Sequence, residues 1–166
     1  MNPLTEAPLD REAGYRLLGE LQDAEAQLGT LAALDVYAPG FPDWIVTALF
    51  GGTYQRDGLA LRDRQIANLA ALTAMGGVEP QLAQHVRASL RVGMTPEEVI
   101  EVLVHLAPYV GVPKTLAGLR VATGVLDELD ELDGSDGPDG PNGLDGSDGP
   151  DGLDGPDGPD EPRTTA

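Results

Sequence analysis

Two histidines, His85 and His105, are the only side chains in this sequence whose ordinary pKa lies near neutrality, so proton transfer at physiological pH would most simply use one of them. His85 shares a helical face with Leu82, Val86 and Ser89, which sets its ring at the edge of an apolar seam. Spacing alone favours a packed, hydrogen-bonded histidine there over a catalytic one. His105 lies one turn after Glu101 and one turn before Tyr109, a carboxylate, imidazole and phenol row if the helix runs on through Pro108. Arg62, Arg64 and Lys114 are candidates to meet a substrate carboxylate, the arginines because a guanidinium offers a planar two-pronged donor fork. For any one of them a solvated first turn is the more ordinary role.

The absent residue types exclude as much as the present ones suggest. With no Cys the chain has no disulfide, no thiolate metal site, no Cys nucleophile and no thiol-based peroxidase chemistry. No P-loop, dinucleotide fingerprint, zinc-type His spacing or G-x-S-x-G elbow occurs, so no metal or organic cofactor is implied. A net charge of -18 with only ten Lys and Arg argues against nucleic acid and anionic membrane as partners. The apolar runs fall well short of the roughly 18 to 20 residues of a membrane helix, and residues 1–30 lack the basic start and apolar core of a secretion signal. The expected location is the cytoplasm.

The elements that must position these groups are helical. Apolar residues recur at three and four positions through the first 132 residues, which predicts one all-α domain of about six helices. They are expected over residues 12–34, with an interruption near Gly29, then 41–54, 59–75 and 80–92. The fifth begins at Thr95, where Thr, Pro, Glu and Glu supply a hydroxyl cap, a proline at the first position and a returning carboxylate. Its apolar residues at 99–106 surround most of the helix, as expected of an element buried centrally or at a subunit contact. Pro108 must end or kink it, and Pro113 opens the last helix.

From Asp133 onward there are ten acids against Arg163 alone, half of the net charge. Nine Gly-X-Y triplets run in register from Gly134 to Asp160, a collagen-type period, but eight carry Asp at the third position with no basic residue between them. Like charges held within a Debye length of about 8 Å oppose a triple helix. Residues 133–166 are therefore expected to be a disordered, solvating tail.

The run RDGLALRDRQIANLAALTAMGG, followed by EPQLAQHVRASLRVGMTPEEVIEVLVHLAPYVGVPKTLAGLRVA, resembles the signature region of carboxymuconolactone decarboxylases in residue type, order and spacing. The upstream APGFPDWIVTALFGGTYQRDGL, with Phe41, Trp44 and Phe50, is similar to the family's N-terminal part. The resemblance implies an alkylhydroperoxidase-like helical fold that assembles as trimers or hexamers, with pockets near subunit contacts and no cofactor. In the wider superfamily, peroxidases carry a CxxC, a His four residues after its second Cys, and a Glu on the preceding helix. Here His85 fits the histidine, Val78 and Gln81 stand at the thiol positions, and Gln65 stands at the Glu position once one residue is allowed for near Gly76 and Gly77. An amide can orient a neighbour but cannot relay a proton near pH 7. The HLAPYVGVPK segment resembles the decarboxylase branch at His105, Tyr109, Gly111, Pro113 and Lys114.

What this implies is cofactor-independent loss of carbon dioxide from a carboxylated lactone or a related enolisable small molecule. His85 is then the expected proton donor, with Gln65 and either His105 or Tyr109 as donors to the enolate oxygen. Arg62, Arg64 and Lys114 would meet the substrate's remaining carboxylate. Isomerisation or ring closure in the same pocket, or a non-catalytic helical scaffold or small-molecule binder, are the rival expectations.

Overall fold

A computed structural model describes residues 9–135, apart from the side chains of 24–28, 134 and 135; the expected tail lies, from residue 136 on, outside the described residues. Among the described residues there is no strand, and no helix is long and apolar enough to cross a membrane. The helices are α1 (Arg11–Leu21), α2 (Ala24–Asp35), α3 (Phe41–Ile45), α4 (Leu61–Met75), α5 (Glu79–Arg91), α6 (Pro96–His105), α7 (Ala107–Val110) and α8 (Val112–Ser135).

Local sequence chemistry explains most of the boundaries. Asp10 starts α1, its Oδ1 accepting from the Ala13 N–H at 2.9 Å. The α4–α5 turn needs left-handed backbone at Gly76 (φ 69) and Gly77 (φ 71), which glycine adopts without strain. At Thr95 the capping box is complete: Glu98 N–H donates to Thr95 Oγ1 at 3.2 Å, and Thr95 N–H donates to Glu98 Oε2 at 3.0 Å.

Two expectations need correction. The break in residues 12–34 falls at Gln22, whose backbone is extended while its N–H still donates to Leu18 O; Gly29 lies within α2, where an added Cβ would meet nothing within 4 Å. Residues 41–54 do not form one helix. After α3 the chain widens into a π-helical turn, Val46–Phe50, then turns at Gly51 and ends in a 3-10 turn, Thr53–Gln55. The cause is close backbone packing: Asp10 N–H donates to Gly51 O at 2.8 Å, and a Cβ on Gly51 would sit 2.2 Å from Asp10 O.

The interior has two apolar clusters. Leu17, Leu18 and Leu21 of α1 pack with Val46, Phe50 and Tyr54 against Ala88 of α5. Leu69 of α4, Leu82 and Val86 of α5, Val99 and Leu103 of α6, and Ala122 and Val125 of α8 form the second. Helices α4 and α5 border both, so their facing side chains sit between two dry regions. Helix α6 buries only one side within the chain, since Val99 and Leu103 are fully covered while Val104 is 46% exposed. The last helix continues through Asp133–Ser135, three residues past the expected domain end, and its final turns carry Asp127, Glu128, Asp130, Glu131 and Asp133.

Candidate functional site

The α4–α5 hairpin brings two of the expected residues together. Gln65 is fully buried on α4, and its Oε1 lies 2.8 Å from Nδ1 of His85 on α5. With the amide oxygen facing the ring, Nδ1 carries the proton and donates it, leaving the lone pair on Nε2. Asn68, one turn along α4, places Nδ2 3.4 Å from the same Nδ1 and donates to the Tyr54 hydroxyl at 2.6 Å. The next turn of α5 is tied back, the Ser89 hydroxyl donating to His85 O at 2.6 Å.

The ring is thus held by the Gln65 amide, with Asn68 beside it and Tyr54 bonded to Asn68, and no carboxylate is hydrogen-bonded to it among the described residues. Burial pushes the His85 pKa below its ordinary 6.5, because a charged imidazolium in this setting loses hydration. In the free chain His85 is therefore neutral near pH 7, with Nε2 as an acceptor. Gln65 Nε2 is buried and has no hydrogen-bond partner among the described residues.

Tyr54 and Asn68 were absent from the sequence-derived set. Asn68 follows Gln65 at i+3, so the face they share was detectable. Tyr54 reaches the cluster only through the irregular 46–55 segment, which local patterning does not foretell.

The other expected residues stand elsewhere. Arg64 donates through Nη2 to Arg56 O at 2.6 Å and through Nε to Leu59 O at 3.2 Å, pinning the segment ahead of α4, and its guanidinium lies 5.7 Å from the Tyr54 ring centre. Arg62 pairs with Glu98 at 2.5 Å, each side chain 42% exposed. The two line an apolar groove of about 400 Å³ with Met94, Glu101 and His105. Beside it the rings of His105 and Tyr109 are 5.4 Å apart although α6 ends between them; Pro108 begins the next turn instead of kinking a continuous helix. Lys114 donates from Nζ to Ala74 O near the end of α4 and borders a third pocket. Within one chain the expected site therefore divides into a His85–Gln65 centre, an Arg62–His105 groove and a Lys114 pocket. Among the described residues no group of three or more His, Asp or Glu is placed to hold a metal ion.

The arrangement can hold an oriented, neutral imidazole and pass a proton through Nε2. Comparison with known proteins agrees with the signature that led to it. The model of the carboxymuconolactone decarboxylase family matches residues 39–124, which contain the whole α4–α5 hairpin. An uncharacterized 15.0 kDa protein of Paracoccus denitrificans, from the nqo9-nqo10 intergenic region, is 31% identical over 99 residues, 59% of this chain and 74% of that protein. A 4-carboxymuconolactone decarboxylase of Acinetobacter baylyi is 30% identical over 100 residues, 60% of this chain and 74% of its own length. With a family model that spans more than half its residues, and with His85 and Gln65 inside the matched region, the chain belongs to the carboxymuconolactone decarboxylase family.

Proposed function

We propose that the protein is a cofactor-independent decarboxylase acting on a carboxylated lactone or a related enolisable acid, with His85 carrying the proton. Family membership and the relative named as a 4-carboxymuconolactone decarboxylase support the reaction class. The observation that carries the residue assignment is the 2.8 Å contact between His85 Nδ1 and Gln65 Oε1, which supports a ring that donates from Nδ1 and keeps its lone pair on Nε2.

In the reaction the bond from the substrate's ring carbon to its carboxylate breaks, carbon dioxide leaves, and the electron pair delocalises onto the lactone carbonyl oxygen. A proton from Nε2 then goes to carbon, and the imidazole returns to neutral. Because burial keeps His85 neutral in the free chain, Nε2 takes up that proton from solvent as the substrate binds: a bound carboxylate favours the imidazolium and offsets the cost of desolvation. Gln65 orients the ring throughout and exchanges no proton. Arg62, His105, Tyr109 and Lys114 are given no role in this step, since they lie apart from His85 in one chain.

The amide at position 65, where the superfamily's peroxidases have a relay Glu, favours a second reading, a binding protein in which His85 only packs. Replacement of His85 by Gln separates the two. For the decarboxylase, lactone-dependent carbon dioxide release falls by roughly a hundredfold or more, the scale of general acid catalysis, while the fold is retained. A well-folded His85→Gln protein with unchanged turnover removes His85 from the mechanism, and absence of any release from the unsubstituted protein removes the decarboxylase.

A further inference from the structure

A pocket of about 220 Å³ lies between the end of α4, the start of α5 and the first turns of α8. It begins at Leu72 and Thr73, seven and eight residues beyond Gln65 on α4, and reaches Leu82, one turn before His85 on α5, so it adjoins the His85 centre without including its hydrogen-bonded residues. Most of its wall is apolar, with Leu72, Leu82 and Val121 as the largest members.

Three donor features and one carboxylate interrupt that wall. Thr73 is 3% exposed, and its hydroxyl has no hydrogen-bond partner among the described residues, although a helical threonine can ordinarily bond back to a carbonyl of the preceding turn. Gly118 lets α8 pack closely beside that hydroxyl, since a Cβ there would sit 3.2 Å from Thr73 Oγ1. Lys114 uses one ammonium proton on Ala74 O, which leaves two for a ligand. The thirteen-residue α5 opens at the pocket with no side-chain cap on its first turn, so its free N–H groups and the positive end of its dipole face the same space. The loop at Gly76 and Gly77 leaves the approach open, a Cβ on either meeting nothing within 4 Å. Glu79 also lines the pocket and sets the charge limit: its carboxylate tolerates one negative charge beside it better than two.

We infer that this pocket binds a small monocarboxylate, with the carboxylate between Lys114, the Thr73 hydroxyl and the start of α5, and the apolar body against Leu72, Leu82 and Val121. The volume is below the roughly 300–1,000 Å³ of pockets for drug-sized ligands, which fits an acid of about ten heavy atoms or fewer. The inference does not depend on the decarboxylase assignment, because it concerns binding and none of its residues belongs to the His85 centre.

The test is an amide NMR titration of the full chain with benzoate, and with benzamide as its uncharged counterpart. Benzoate should give saturable shifts centred on Thr73, Gly76 and Gly77, and benzamide much weaker ones. Thr73→Val, which removes the buried hydroxyl at nearly constant shape, should leave the melting temperature unchanged or raised while weakening benzoate several-fold; Lys114→Met should weaken it roughly tenfold or more. His85→Gln should leave benzoate binding as it was. No saturable shift by roughly 20 mM, well past the millimolar affinity of a weak small ligand, overturns the inference. So does equal binding of benzamide, or benzoate affinity that survives both Thr73→Val and Lys114→Met. Loss of binding in folded His85→Gln would return the pocket to the catalytic centre and also overturn it.

Discussion

Replacing Gln65 by Glu puts a carboxylate where the fully buried amide oxygen now lies 2.8 Å from His85 Nδ1. An opposite charge at that distance favours the imidazolium and moves its pKa up by about one to three pH units relative to the amide, a coupling of roughly 1.4–4 kcal/mol. The second carboxylate oxygen takes the place of the unpartnered Gln65 Nε2 and gains no donor, so the substitution also costs about 1–3 kcal/mol of stability. The chain has only two histidines, so a ring-proton NMR titration yields two curves, with the exposed His105 as companion. In the unsubstituted protein His85 should titrate below 6.5, since burial lowers it; in Gln65→Glu it should titrate higher than in the unsubstituted protein. Stability follows the same shift. In the unsubstituted chain the His85 contribution is present above pH 6.5 and is lost as pH falls through the lowered folded value, because the unfolded chain takes the proton first. In Gln65→Glu that pH dependence should shrink, because the carboxylate moves the folded value back toward the unfolded one. A His85 curve at or above 6.5 in the unsubstituted protein, or one unmoved by Gln65→Glu, refutes the account of how this centre is held neutral.

Gly51→Ala should lower stability by about 1–3 kcal/mol in thermal melts, since its new methyl would be driven into Asp10 O and Thr47 O. Gly29→Ala, in open space within α2, should be neutral or slightly stabilising and serves as the control. Light scattering should give a trimer or a multiple of it, with the half-exposed Val104 and the exposed Tyr109 and Val112 covered by a neighbour; a clean monomer at micromolar concentration contradicts this. Truncation after Ser135 should leave the melting temperature nearly unchanged, because the stretch removed holds only two Leu and cannot add a core; a drop of many degrees would show that it docks.

Where structure follows from neighbouring residues, the sequence was readable: the Thr95 box and the all-helical pattern both rest on interactions within about four positions. The break at Gln22 carries no Gly or Pro, so nothing local announced it. The π-helical turn at Val46–Phe50 arises because the Gly51 backbone must meet Asp10 across forty residues of chain. The site divides along the same line. His85 and Gln65 could be paired through the spacing of the family signature, and the α4–α5 hairpin places them in contact. The basic residues were grouped by type, and type does not say which way a helix turns them. Arg64 closes on backbone carbonyls, Arg62 on Glu98 and Lys114 on the end of α4, so each is engaged at a different place.

The end of α8 is a worn edge by design of its charges. Asp127, Glu128, Asp130, Glu131 and Asp133 crowd the pole of the helix that already carries the partial negative of its unpaired carbonyls, and they repel one another at three and four positions. Arg87, bonded to Glu128, is the clamp that holds the strip against α5. Beyond that clamp the last turns of α8 should respond to ionic strength: salt that shortens the screening length from about 10 Å at 0.1 M to about 3 Å at 1 M relieves the repulsion and steadies them, and dilution weakens them. Each turn lost moves the end of α8 back by about 5.4 Å.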